Sequence, residues 1–174
     1  KKIYQNHKEL FDFINEHKPD LSDEMGDILK NVIKSRGLII GSSSKKRVRF
    51  TTKEISGLTY INKNSNGWKN GESFLFEFIL YEEKNKLIFK VVISPSDKIY
   101  DVQRLKNILM DIDGFTEPRG KKWLVTYRKN YTYDYSSISD KTTEEITDEM
   151  NKIFDKVIPV IKKVEDKFLT NKKE

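Results

Sequence analysis

The chain has 174 residues, with 33 lysines and arginines against 27 acids for a formal charge of +6, and it contains no cysteine. A chain of this length buries a core without disulfides or metals, and the lack of cysteine excludes disulfide scaffolds, thiolate zinc sites, iron–sulfur clusters and cysteine nucleophiles. No apolar run reaches the roughly 20 residues that span a bilayer, and residues 1–10 lack the apolar core of a secretory signal, so the expected location is cytoplasmic with no membrane partner.

The first predicted element is a helix over residues 4–17, with Leu10, Phe11 and Ile14 at helical spacing, ended by Lys18-Pro19 because proline disfavours helix in the residue before it. A second follows, with Ser22 as cap, Asp23 and Glu24 in its first turn, Met25, Ile28, Leu29, Val32 and Ile33 as its apolar face, and Gly37 as its stop. The two form an N-terminal α-hairpin. Residues 38–40 read as the start of a strand and residues 41–44, Gly-Ser-Ser-Ser, as a loop. From 45 to 51 the side chains alternate, Val48 and Phe50 to one face, Lys45, Arg47, Arg49 and Thr51 to the other. Residues 74–81 are apolar on most of both faces, as in a strand inside a sheet, and residues 87–93 are the hairpin partner across a short polar connection.

Residues 94–97 end that hairpin, and Ser96 or Asp97 caps a middle helix whose stripe is Ile99, Val102, Leu105, Ile108, Leu109 and Ile112, closing at Gly114. Trp123, Val125 and Tyr127 then alternate with Lys122, Leu124, Thr126 and Arg128 as another strand, and residues 131–140 form a polar, tyrosine-rich connection. Thr142 and Glu145 make a capping box before a long C-terminal helix with Ile146, Met150, Ile153, Val157, Ile161, Val164 and Phe168 on one side, kinked or divided at Pro159. This order predicts a single α+β domain over residues 1–174: a mostly antiparallel sheet of about four strands with helices over at least one face.

The charge is unevenly spread. Residues 34–70 hold nine cations against Glu54 alone, and residues 118–130 hold five cations and no acid, so the rest of the chain is net acidic. Such a partition fits one cationic face and an anionic partner. Lys45, Arg47 and Arg49 repeat at about 6.6–6.8 Å along one strand face, near the spacing of successive phosphates, and Lys46, Arg119, Lys121, Lys122 and Arg128 extend the track. The same pattern also suits an edge strand that uses charge against sheet-to-sheet aggregation. The serine loop offers donors for phosphate but is not a Walker loop, since Lys46 stands where that motif needs glycine; the simpler reading is a mobile, solvated loop. Trp68, Tyr60, Tyr131, Tyr133 and Tyr135 are candidates to stack on exposed bases or to pack in the core.

Metal chemistry finds little support. His7 and His17 lie about 15 Å apart along one predicted helix, too far to share an ion. Asp111 and Asp113 begin a calcium-loop pattern, but Lys122 stands at its twelfth position where the ligand glutamate belongs, so the string reads as a helix end.

The runs SSSKKRVRFTTKEI at 42–55, LFEFILYEEKNKLIFKVVISPSD at 75–97 and KKWLVTYRK at 121–129, followed by the acidic final helix, occur in that order within residues 38–168. Together they resemble the C-terminal region of bacterial PD-(D/E)xK nuclease-superfamily proteins of the restriction and phage-defence type. A Gly-Pro-Gly-Asp turn of that region appears here as Ser94-Pro95-Ser96-Asp97. Such nucleases hold Mg²⁺ between two acids with a lysine nearby. The literal candidates here are Asp20, between two predicted helices, and Glu82 with Lys84, at a hairpin tip. The resemblance therefore implies that a catalytic domain precedes Lys1 in a longer protein, that any Mg²⁺ belongs to that domain, and that this chain needs no cofactor.

The expected function is a noncatalytic accessory domain that binds DNA or RNA through Lys45, Lys46, Arg47, Arg49, Arg119, Lys121, Lys122 and Arg128, beside an upstream nuclease-like domain. Two alternatives stand: a protein-interaction or homodimerisation module docking through the final helix, and a self-contained Mg²⁺-dependent nuclease using Asp20, Glu82 and Lys84. The binding reading requires residues 45–49 and 121–128 to share a face.

Overall fold

Phenylalanine at every second position of residues 74–78 places a row of rings on one side of a strand, and a row that long needs a covering layer. The computed structural model, which describes residues 8, 21–62, 66–95, 99–118 and 122–171, supplies that layer as helices packed on one face of an antiparallel sheet. Strands β1 (Ile39–Ile40), β2 (Arg47–Thr51), β3 (Phe74–Tyr81), β4 (Lys86–Ile93) and β5 (Leu124–Thr132) lie side by side in chain order, each antiparallel to the next. The α+β class and the antiparallel sheet are as expected, with five strands in place of about four. The additional strand is β1, within residues 38–40, which are expected to start a strand but are not among the four counted.

The helices are α1 (Leu21–Ser35), the single turn α2 (Lys53–Ser56), α3 (Ile99–Met110), α4 (Thr143–Asp155) and α5 (Ile158–Thr170). Their apolar stripes meet the sheet in one contiguous core, to which Val48, Phe50, Phe76, Phe78 and Phe89 contribute from the strands and Met25, Leu109, Met150, Phe154 and Phe168 from the helices. Phe50 stacks on Phe76 at 5.4 Å and Phe78 tilts onto Phe89 at 5.1 Å between ring centroids, geometries that aromatic quadrupoles favour. Among the described residues no helix is long and apolar enough to cross a membrane.

Local signals account for most boundaries. Thr142 accepts from the Glu145 amide while the Glu145 carboxylate accepts from the Thr142 amide, so α4 begins with both capping-box bonds made. Pro159 divides the predicted long helix as expected: α4 ends at Asp155, and the proline sits in the first turn of α5, where its missing donor costs nothing. Between β3 and β4 a 3₁₀ turn over Glu82–Lys84 closes on Asn85 at φ 47°, a left-handed conformation that asparagine tolerates better than most residues.

Other boundaries differ from the expectation. The described residues of α1 run from Leu21, so Ser22 lies within the helix and not before it. Apart from residue 8, the helix expected over residues 4–17 lies outside the described residues, as do the caps Ser96 and Asp97 and Asp20, His7 and His17. The tyrosines of the polar connection point inward: Tyr131 lies within β5, a 3₁₀ turn covers Tyr135–Asp140, and Tyr131, Tyr133 and Tyr135 are all buried, while the polar residues between them are exposed.

Candidate nucleic-acid interface

A residue and its partner across an antiparallel ladder point to the same face. Arg49 pairs with Glu77, Glu77 with Lys90 and Lys90 with Arg128, so these four form one row across β2, β3, β4 and β5. Their strand neighbours Val48, Phe50, Phe76, Phe78, Phe89 and Val91 all lie in the helix-covered core. The row therefore occupies the opposite face, where no helix packs among the described residues. Arg47, two positions from Arg49, lies on the same side.

Arg128 reaches this row through an irregularity. Strict alternation predicts Trp123, Val125 and Tyr127 on one face and Arg128 on the other. Instead Val125 pairs with Val92 and Tyr127 with Val91, leaving Thr126 as an extra residue. This β-bulge reverses the phase of the strand. Tyr127 turns to the helix side, 5.1 Å from Phe115 and 6.2 Å from Phe89 between centroids. Val125 and Trp123 remain on the open side, packed on Trp68, Leu75 and Val92.

The expected ligand set separates into several parts. Arg47 and Arg128 are exposed on the open face, with Lys46 at the adjoining turn and Lys122 immediately before Trp123. Arg49 is only 9% exposed and engaged: its Nε donates to Glu77 Oε2 at 2.6 Å, a terminal nitrogen donates to the Ser42 carbonyl at 2.7 Å, and its guanidinium lies 5.5 Å from the Trp68 ring. It organises the face and is not a free phosphate ligand. Lys45 is not on the strand. It sits in the tight turn between Ser44 and Arg47 and reaches Asp23 on α1, on the helix side. Arg119 and Lys121 lie outside the described residues.

The serine loop is committed as well. Ser42 donates from its amide and hydroxyl to the two Glu72 oxygens at 2.9 and 2.8 Å, and its hydroxyl accepts from the Asn70 amide. Those donors are not available to a phosphate, and the segment is pinned by Glu72 in place of being a solvated loop.

Lys90 is the residue that sequence reasoning missed. One lysine inside an otherwise apolar strand was its only signal. It is half-buried, and burial holds its ammonium below the ordinary lysine value of 10.5; Glu77 opposes that shift, while Arg128, Arg47 and Arg49 add to it. Its neighbours thus supply three cations and one acid. Replacing it with methionine should relieve the repulsion and raise the melting temperature by about 2–4 °C, the change that about 1 kcal/mol gives a chain of this size. At Lys90 the unfolded chain binds more protons just below the ordinary lysine value, so the advantage of Lys90→Met over wild type should shrink as pH rises there, while the three buried tyrosines act alike on both proteins. Thermal melts across the alkaline range measure both effects.

Two hollows flank the row. A groove of about 450 Å³ is lined by Lys46, Arg47, Tyr81, Glu82, Lys90 and Arg128 among others. A smaller one of about 170 Å³ runs between Arg49, Glu77 and Lys90 on one side and Trp68 and Trp123 on the other. The two indoles pack with centroids 5.0 Å apart, Trp68 buried and Trp123 partly buried. Of the aromatic candidates, Tyr131, Tyr133 and Tyr135 are core residues. Tyr133 donates to Glu149 at 2.9 Å and Tyr135 to the Lys86 carbonyl at 3.1 Å, and burial raises the pKa of all three phenols. Tyr60 is exposed, outside either hollow.

The alternatives fare differently in geometry. Glu82 and Lys84 sit in the 3₁₀ turn after β3, with the Lys84 ammonium 5.1 Å from the Tyr81 ring. No group of three or more His, Asp or Glu side chains among the described residues is placed to hold a metal ion. Asp111 pairs with Lys167 at the end of α3, in keeping with a helix end. The stripe of the final helices, from Ile146 to Phe168, is buried in the chain's own core and is not an available docking surface.

Compared with family models, curated proteins and solved structures, the chain matches none.

Proposed function

We propose that this chain is a noncatalytic nucleic-acid-binding domain, an accessory to an upstream nuclease-like domain of a bacterial restriction or defence protein. The observation that carries the reading is the row of Arg49, Lys90 and Arg128 around the single acid Glu77, with Arg47 beside it, on a sheet face free of helices among the described residues. Cations gathered at that density on one face repel one another and gain from a polyanion, whose condensed counterions are released on binding. Arg47, Lys90 and Arg128 contact phosphate in this reading, Lys46 and Lys122 lie at the margins, and Arg49 holds Glu77 in place. Sequence-independent phosphate contact of this kind suits an accessory domain that increases the time its partner spends on DNA or RNA. The nuclease association rests on the sequence resemblance, and the noncatalytic reading is supported by Glu82 and Lys84 lying in a turn where, among the described residues, no group of three or more His, Asp or Glu side chains is placed to hold a metal ion.

The test is a salt series. Binding of labelled oligonucleotides should weaken steeply with salt, and reversing Arg47 and Arg128 to glutamate should cut affinity more than tenfold and reduce the salt slope by about one for each phosphate that is no longer neutralised. An affinity indifferent to salt, or the same in the doubly reversed variant, overturns the proposal.

A further inference from the structure

The open face is not a uniform cationic surface, and its departures from one bear on which nucleic acid it takes. Two of its cations are recessed, Arg49 buried and Lys90 half-buried, while Arg47 and Arg128 are exposed. An acid, Glu77, interrupts them, and Glu82 and Glu83 stand at the hairpin end of the larger groove. Beyond the row, on the far side of the Thr126 bulge, lie both tryptophans of the chain. A duplex carries its phosphates outward on a stiff cylinder and keeps its base faces stacked inside. It reaches raised cations but neither a recessed ammonium nor an indole face. A single strand can turn a base aside and lower the adjoining phosphate.

The smaller hollow separates the two parts of such a nucleotide. At about 170 Å³ it is below the roughly 300 Å³ at which pockets for drug-sized ligands begin, so it suits one ring system. Glu77 lines it beside Arg47, Arg49 and Lys90 and offsets part of their attraction for a phosphate, whereas a neutral base meets indole, the Arg49 side chain, and the apolar Val92 and Val125. The phosphate is left to the groove side, where Arg47, Lys90 and Arg128 converge.

We infer that the ligand is single-stranded nucleic acid, bound with one unpaired base in the hollow against Trp123 and Trp68 and the neighbouring phosphate over Lys90 and Arg128. This rests on the reading of the open face as a nucleic-acid surface and adds the strandedness and the part each end of the face plays.

The chain itself carries the reporter, since Trp68 and Trp123 are its only two tryptophans. Intrinsic fluorescence is recorded while the 174-residue chain is titrated at low salt with a single strand, the same strand made abasic throughout, and its duplex. The intact strand should quench tryptophan emission saturably. The abasic strand should bind about tenfold more weakly without quenching, the loss expected when one base–aromatic stack is removed, and the duplex should bind at least tenfold more weakly than the single strand. If the abasic strand binds as tightly as the intact one, or the duplex at least as tightly as the single strand, the inference falls while the phosphate-binding face stands. If no oligonucleotide binds at low salt, both fall.

Discussion

Glu77→Ala is expected to lower the stability of the chain by about 3–5 kcal/mol, the cost of removing one partner from a buried ion pair. Glu77 is 5% exposed and is the one acid in the row, paired to Arg49 at 2.6 Å and opposite Lys90 in the ladder. Without it the Arg49 guanidinium keeps only the Ser42 carbonyl and the Trp68 face, with Arg47, Lys90 and Arg128 close by. Urea unfolding should show a lower midpoint at an unchanged slope, the sign of lost stability without a change in the surface exposed. A loss below about 1 kcal/mol would show that water already screens the pair, as it does for exposed ion pairs. Glu77→Gln, which keeps the shape and removes the charge, separates stability from binding: the variant should be less stable yet bind oligonucleotides more tightly. The same acid thus holds the face together and restrains its attraction for anions.

Phe154→Ala is expected to cost about 3–5 kcal/mol, the range for emptying a buried aromatic site. The ring lies 5.6 Å from Phe50 and 6.0 Å from Phe78 between centroids and joins α4 to the sheet. It also seats Arg36, whose guanidinium carbon lies 4.8 Å from the ring centre while its nitrogens hold Asp155 at 2.7 Å and Asn151 at 2.9 Å. That clamp ties the end of α1 to α4. A double-mutant cycle with Arg36→Ala should therefore return a coupling of about 1 kcal/mol, the scale of a partly shielded cation–π contact. Because Phe154 lies behind the sheet, oligonucleotide affinity measured well below the melting transition should not change. A change in affinity would mean that the two faces are mechanically linked.

What could be read in the sequence was local. The alternation of residues 45–51 separates Val48 and Phe50 from Arg47 and Arg49 correctly, and Thr142, Glu145 and Pro159 delimit the last two helices because caps and prolines act within a few residues. The face itself depends on pairings that no local pattern encodes. Arg49 meets Glu77, 28 positions away, and is thereby withdrawn as a ligand. Of the basic stretch, Arg36 and Lys45 turn to the helix side for Asp155 and Asp23, so cations adjacent in sequence are divided between two faces. Lys90 belongs to neither basic stretch, yet the register places it among Arg47, Arg49 and Arg128. β2 and β5 do bring Arg47 and Arg128 to one face, but through the bulge and not through the alternation that predicted it. Residues 119 and 121 lie outside the described part of that segment.

The bulge also governs how the parts of the face are set against one another. Thr126 lies between Trp123 and Arg128, fully buried, with its hydroxyl 3.4 Å from the Val91 carbonyl. A strand carrying one supernumerary residue bends there and twists more sharply. Since Val92 already pairs with Val125 and Val91 with Tyr127, excising Thr126 would restore an ordinary ladder without moving any side chain to the other face. The indoles and the cations would all remain, and only the angle between them would relax. Thr126 is thus a fixed elbow that sets the angle between the tryptophans and Arg128, and in the proposed reading it would direct a bound strand without touching it.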